Sequence, residues 1–276
     1  MNQEYLDFAY SVALSAGRIA LQQYRQTSAS TKADGSEVTE ADRQVESLMR
    51  TMIQRRYPAH DILGEELGNS SRTSGKHLWV LDPIDGTAWY TMGTPLFGNL
   101  VALLEDGEPI VGVIHLPALG ETVCAAKGCG AWLSYGTSAP QRVHVASGVP
   151  LNQATVTASG VHRSDMLRSA KASGYPLRGI VQRAGKFRFY GDCVQHALVC
   201  AGHTHAAIDT IMHPWDSAAI IPCIEEAGGV VTTLDGHRDN VVFGGSLLTS
   251  CSAELHEEII RCLGAGASTR PAELAA

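Results

Sequence analysis

Residues 78–87 read Leu-Trp-Val-Leu-Asp-Pro-Ile-Asp-Gly-Thr, an apolar run that ends in a turn with two acids. The run LWVLD, 78–82, reads as a buried strand. Asp82 and Asp85 flank Pro83 and Ile84 directly after it, and Pro83 fixes its own φ and helps set the turn. Two carboxylates three residues apart in a turn can converge on one point, and left unpaired beside a core strand they are costly. A hard divalent cation such as Mg²⁺, which prefers oxygen ligands, offsets that repulsion. Gly86 lets the backbone approach a ligand closely, and N–H groups at a following helix start hold anions. Metal ligands and phosphate donors stand side by side, which are the parts needed for metal-assisted hydrolysis of a phosphate ester. On spacing alone a second reading stands beside this one: a tight turn with helix-capping acids.

Upstream of this stretch the pattern is helical. Tyr5, Phe8, Ala9, Val12, Ala16, Ile19 and Ala20 recur at three- and four-residue steps. Thr39 can cap a second helix with Val45, Leu48, Met49, Met52 and Ile53 on one face, ended by Pro58. Residues 69–77 read as a surface loop. Downstream, 97–104 and 110–116 are apolar runs around a hairpin signal, EDGEP, and 121–132 holds two more short strands. The spacing therefore predicts helices followed by a mostly antiparallel sheet, and a junction over 134–150. Beyond it strands (154–158, 205–209, 229–233, 246–250) alternate with helices (163–173, 193–201, 215–227, 253–263). The expected organisation is an N-terminal α+β lobe over 1–140, a C-terminal α/β lobe over 141–263, and a mobile tail over 264–276.

The chain has 276 residues, 45% hydrophobic and 18% charged, which excludes a largely disordered protein. A net charge of −7 argues against nucleic acid and suits cations. No run reaches the length of a membrane span, and MNQEYLDFAY lacks the basic start of a secretory signal. Seven cysteines, an odd number without a CxxC pair, read as reduced thiols in a cytoplasmic protein.

Three segments carry a resemblance: GEE at 64–66, WVLDPIDGT at 79–87, and HPWDSAAIIPCIEEAGG at 213–229. In that order and at these separations they resemble the signatures of the inositol monophosphatase superfamily, over about residues 5–263. The resemblance implies an α+β fold, a five-layered αβαβα sandwich in two lobes, of the inositol monophosphatase and fructose bisphosphatase type. It implies that Glu65, Asp82, Asp85 and Asp216, with the carbonyl of Ile84, hold two or three Mg²⁺ ions. Gly86 and Thr87 would contact phosphate, and Glu66 would support the site from behind. Read without the resemblance, Asp216 is equally an N-cap that favours a helix dipole. Lys32, Asp34, Thr39 and Asp42 resemble a mobile loop that closes over the site and helps hold the most weakly bound metal. The implied mechanism is direct displacement: a water of lowered pKa attacks phosphorus in line, oriented and deprotonated by Glu65 and Thr87, without a phosphoenzyme.

Within the superfamily, residues 93–121 and Gly191-Asp192-Cys193 resemble the histidinol-phosphate phosphatase branch, a resemblance that implies histidinol phosphate as substrate and a role in histidine biosynthesis. Ala88-Trp89-Tyr90 and Thr122-Val123 depart from that branch, so inositol 1-phosphate and sugar phosphates stand as alternative substrates. From another class, some superfamily members are regulatory partners of transcription machinery. By the same resemblance Asp192 and Asp209 would recognise the substrate's ammonium, Li⁺ would inhibit, and the chain would form a homodimer. Without it, Asp192 caps its helix and Asp209 ends a strand. His203 and His205 read as exposed turn residues, and His213 as a pocket candidate. Arg183, Lys186 and Arg188 read as a solvated strand edge or as a basic cluster reaching substrate across a subunit boundary.

Overall fold

The computed structural model describes residues 2–26, 30–31, 37–70, 75–167 and 174–264. Helix α1 (Asn2–Gln23) buries a stripe of mostly small residues, Leu6, Ala9, Val12, Ala13, Ala16 and Ala20. The two-residue strands β1 (Ser30–Thr31) and β2 (Glu37–Val38) pair antiparallel. Helix α2 (Glu40–Arg56) opens on a capping box in which Thr39 and Asp42 satisfy each other's backbone N–H groups, and it stops at Tyr57, before Pro58.

The first sheet follows from β3 (Asp61–Gly64), β4 (Gly68–Ser70), β5 (His77–Asp85), β6 (Gly98–Glu105), β7 (Glu108–Leu116), β8 (Glu121–Ala126), β9 (Gly130–Tyr135) and β10 (Gln141–Val143). A short helix, α3 (Thr87–Thr91), leaves the end of β5. The strand order is β10-β9-β8-β7-β6-β5-β3-β4, with only β3 and β5 parallel among these neighbours. The apolar runs that looked continuous in the sequence are two-faced. Along β6, Val101 and Leu103 turn to α1 and α2, while Leu100, Ala102 and Leu104 turn to the opposite core.

The second sheet is built from β11 (Thr155–Ala158), β12 (Lys186–Phe189), β13 (Ala206–Asp209), β14 (Val230–Thr232) and β15 (Leu247–Ser250), in the order β12-β11-β13-β15-β14. β11, β12 and β13 run parallel, and β15 is antiparallel to both its neighbours, so the sheet is mixed. Its helices are α4 (Leu177–Arg183), α5 (Asp192–Cys200), α6 (Pro214–Ser217), α7 (Ile220–Glu226) and α8 (Ala253–Cys262).

Five layers result. α1 and α2 cover one face of the first sheet, α5 and α7 fill the space between the sheets, and α4 and α8 cover the outside of the second. Among the described residues three apolar cores lie between the layers. The middle layer packs closely on the first sheet: a Cβ on Gly112 of β7 would lie 2.1 Å from the carbonyl oxygen of Ala219. Glu226 ties the same layers together by accepting from the N–H groups of Gly128 (2.8 Å) and Gly130 (2.7 Å).

Three sequence expectations change. Residues 163–167 form turns, and the helix comes later, as α4; residues 168–173 of the expected helix lie outside the described residues. The helix expected over 215–227 is interrupted at Ala218–Ala219. Pro222, which has no N–H to return to the Ala218 carbonyl, accounts for the break. The loop expected over 69–77 contains the end of β4 and the first residue of β5. The expected tail lies outside the described residues beyond Gly264. Among the described residues no helix is long and apolar enough to cross a membrane.

Candidate metal and phosphate site

Residues three apart on a regular strand point to opposite faces. Asp82 and Asp85 nevertheless share a face, because β5 carries a bulge between them. Asp82 pairs with Leu100 and Asp85 with Gly98, so three steps on β5 match two on β6. The Nδ2 of buried Asn99 donates to the Pro83 carbonyl inside the bulge. The extra residue turns both carboxylates toward the middle layer. Asp216 reaches them there from α6, its Oδ2 held by the N–H of His213 at 2.7 Å. Asp82, Asp85 and Asp216 each offer an oxygen within 4.8 Å of the others.

These carboxylates repel one another in a buried place. Burial raises Asp82 well above the usual carboxylate range, and Glu65, Asp85, Asp216 and Asp42 all push the same way. Asp85 is raised by burial and by Asp192 and Asp216, against which the Cys193 N–H, 2.6 Å from its Oδ2, works. Asp216 is pushed up to about 8 by burial, opposed by the His213 N–H, with Glu65 and Asp209 adding to the rise. Among the described residues, the charges that act on Asp82 are those of the acids Glu65, Asp85, Asp216 and Asp42. The Oδ1 of Asp82 is buried, with no hydrogen-bond partner among the described residues. An orphaned carboxyl oxygen among converging acids, whose charges a bound cation would neutralise, is the donor set a hard cation requires, so these residues fit a divalent metal.

The turn after β5 has the conformation its sequence promised. Gly86 lies in the left-handed region (φ 82°) as the N-cap of α3. A Cβ there would meet Leu96 O at 2.9 Å and Asp192 Oδ2 at 3.0 Å. Thr87 Oγ1 lies 3.0 Å from Ile84 O and 3.4 Å from Asp42 Oδ1, so its one proton is shared between them. Asp42 takes the Thr39 N–H (2.8 Å) and hydroxyl (2.5 Å) on its other oxygen. Thr39 and Asp42 therefore form the helix cap and also bring a buried acid to Thr87. Lys32 and Asp34 lie outside the described residues. Glu65 stands in the turn after β3, close enough to raise both Asp82 and Asp216.

Asp192 adjoins this cluster at the first residue of α5, with a positive φ of 41°. Burial lifts it to about 7, Asp209 adds to the rise, and a hydrogen bond with the Trp89 side chain opposes it. Asp209 is buried and engaged: Gln195 Nε2 donates to its Oδ2 at 2.7 Å, His196 Nε2 lies 2.6 Å from the same oxygen, and the Ser159 hydroxyl donates to Oδ1. His196 continues to Thr249 Oγ1 at 2.9 Å. Asp209 thus stands behind Asp192 with its oxygens already bonded.

The remaining candidates fall away from the cluster or serve it indirectly. His205 Nδ1 accepts the Thr155 N–H at 3.1 Å. His213 stacks on Trp215, ring centroids 5.0 Å apart. Lys186 and Arg188 stand on β12, at the edge of its sheet. Trp89 and buried Glu46, whose Oε2 accepts the Glu66 N–H at 2.7 Å, were missed by the sequence reading. The helical spacing of Glu46 from Asp42 was the available signal for it.

The family model described as "Inositol monophosphatase family" matches residues 1–265. A histidinol-phosphatase of Chlorobaculum parvum is 35% identical over 267 residues, 96% of this chain and 98% of that protein. One of Mycobacterium tuberculosis is 38% identical over 236 residues, 86% of this chain and 88% of that protein. The solved structure of an inositol monophosphatase from Zymomonas mobilis superposes with a TM-score of 0.83 at 27% identity, covering 96% of this chain and 99% of that one. The fold and the acidic cluster already argued for metal-dependent phosphate chemistry, and these likenesses add the lineage: the chain belongs to the inositol monophosphatase family and is a phosphatase of that family.

Proposed function

We propose that the chain is a Mg²⁺-dependent phosphomonoesterase whose substrate is histidinol phosphate. The observation that carries the metal-dependent reading is the orphaned Oδ1 of Asp82 among the carboxylates of Asp85 and Asp216. In this reading Glu65, Asp82, Asp85, Asp216 and the Ile84 carbonyl hold Mg²⁺. Bound there, Mg²⁺ supplies positive charge to the phosphoryl oxygens and lowers the pKa of a water. Thr87 Oγ1 accepts a hydrogen bond from the attacking water while its own proton turns to Asp42 Oδ1, and Glu65 orients the same water. The N–H groups of Gly86 and Thr87 face the phosphate.

The substrate choice is supported by an acid beyond the cluster. Asp192, beside Trp89 and backed by Asp209, offers a carboxylate and an aromatic surface to a cationic amino alcohol. Its neighbour in sequence, Cys193, bonds Asp85, so the cation of the substrate and its phosphate would be read a short distance apart. The names of the Chlorobaculum and Mycobacterium relatives support the same choice. Inositol 1-phosphate is the second reading, favoured by the likeness to the Zymomonas structure. The seven free thiols suit a cytoplasmic location, and a homodimer is the proposed state.

A phosphate-release assay with Mg²⁺ over histidinol phosphate, inositol 1-phosphate, a sugar phosphate and glycerol phosphate tests the proposal. The highest kcat/KM is expected for histidinol phosphate. Preference for inositol 1-phosphate would install the second reading, and no release from any ester would end the first.

A further inference from the structure

Asp42, Glu46 and Arg50 follow one another at four-residue steps on α2, so they share one side of the helix. All three are buried, with exposures of 0%, 0% and 8%. Charged side chains this deep need partners, and a buried ion pair offsets its desolvation only when its other hydrogen-bonding atoms are also met. Arg50 Nε donates to Glu46 Oε1 at 2.7 Å. The other atoms are met by one short turn, the three residues between β3 and β4. The Glu66 N–H donates to Glu46 Oε2 at 2.7 Å and the Leu67 N–H to Oε1 at 3.2 Å. Arg50 Nη2 donates to Gly68 O at the far end of that turn.

The fit is close enough to dictate Gly64. A Cβ there would lie 2.2 Å from Glu46 Oε1 and 3.0 Å from Arg50 Nη2. On its other side the turn is fastened to β5, where the Glu65 N–H donates to Leu81 O at 3.3 Å, one residue before Asp82. Glu65 is therefore flanked by a backbone held from two directions. The same face of α2 sends Asp42 to Thr87.

We infer that the Glu46–Arg50 ion pair positions Glu65, fixing the turn that carries it beside the end of β5. Glu46 acts through the backbone of Glu66 and Leu67, as a positioning residue. The inference rests on the reading that Glu65 holds the cation. It makes α2 one rigid ruler that sets two parts of the site, Asp42 at one turn of the helix and Glu65 from the next.

The test compares the whole chain with Glu46→Gln and with the double variant Glu46→Gln/Arg50→Met. Each is melted over a range of Mg²⁺ concentrations and assayed for phosphate release. Glu46→Gln keeps one acceptor and loses the charge that pairs Arg50. It is expected to melt earlier without metal and to need roughly tenfold or more Mg²⁺ for half of the Mg²⁺-induced rise in melting temperature. Its kcat at a fixed Mg²⁺ concentration should fall, while KM for the ester changes less than about twofold. The double variant removes the unpaired cation, so its metal-free melting temperature should return toward wild type while the Mg²⁺ midpoint stays raised. A Mg²⁺ midpoint that recovers together with melting temperature, or that never moves, overturns the inference and leaves the pair a purely structural element. If the single variant does not fold, the double variant decides alone. A wild type whose melting ignores Mg²⁺ overturns the functional reading and this inference with it, which separates the two failures.

Discussion

The backbone N–H of Cys193 donates to Asp85 Oδ2 at 2.6 Å, across 108 positions of sequence. One oxygen of Asp85 thus serves the first turn of α5 in the middle layer, while the residue itself ends β5 of the first sheet. The candidate metal site is also a joint between the layers.

Asp85→Asn should lower phosphate release by roughly a hundredfold or more, because an amide is a poor substitute for a ligand carboxylate. The fold should persist, since one like charge leaves a crowded, buried group. Cooperative melting without metal and loss of the Mg²⁺-induced stabilisation are the expected pair of results. Near-wild-type turnover at saturating Mg²⁺ would remove Asp85 from the site.

The pH dependence of the metal-free protein has a definite sign. Asp216 rises to about 8 and Asp192 to about 7 in the folded chain, against 3.8 for an ordinary aspartate. Their protons are retained by the folded state and already lost by the unfolded one, so stability falls as pH rises toward 8. His115 and His256, lowered to about 4 by burial, act in the opposite sense but only below their ordinary value of 6.5. Between 6.5 and 8 the acids act without these two histidines, at about 1.4 kcal/mol per pH unit for each retained proton. Melting temperature should therefore drop over that window without metal and drop much less with saturating Mg²⁺, whose binding should release protons into the buffer. A flat metal-free profile would contradict the assignment.

Asp192→Asn tests the substrate reading with little disturbance of the backbone, because asparagine tolerates the positive φ found there. A charge-assisted hydrogen bond is worth about 1.5–3 kcal/mol, so kcat/KM for histidinol phosphate should fall roughly tenfold or more. Glycerol phosphate, which has no ammonium, should be largely spared. Equal losses on both esters would show that Asp192 acts on the metals or on the fold. Asp209→Asn is expected to act more broadly, since its oxygens already bond Ser159, Gln195 and His196.

Li⁺ should inhibit Mg²⁺-dependent turnover. It is close to Mg²⁺ in size and carries half the charge, so it can occupy a carboxylate site without supporting the chemistry. Titrating Li⁺ at several fixed Mg²⁺ concentrations checks this, and activity indifferent to Li⁺ would speak for a differently built site.

Much of the architecture is legible in the sequence because apolar runs and glycine-punctuated turns report burial directly. LWVLD, the hairpin at EDGEP and the Thr39 cap all appear where the pattern puts them. The bulge between Asp82 and Asp85 is not legible, since it depends on how β6 pairs across from it. The burial of Glu46 and Arg50 is not legible either, since it depends on the turn after β3 that satisfies them. Asp209 ends β13, as its sequence reads, but nothing in the sequence announces that Ser159, Gln195 and His196 converge on the acid that the resemblance assigns to substrate. Local propensity also misjudges 215–227, where a single proline divides the helix.

Gly112 carries a consequence for the site that its distance in sequence conceals. With hydrogen in place of a side chain it lets Ala219, three residues after Asp216, rest on β7. Any larger residue there would act as a shim under the α6–α7 segment and lift Asp216 off Asp82 and Asp85. The tolerance of the metal-binding geometry is then set by the thickness of one packing contact in an apolar core. Gly112→Ala should weaken Mg²⁺ binding, read as a raised Mg²⁺ midpoint in melting, without altering a single candidate ligand.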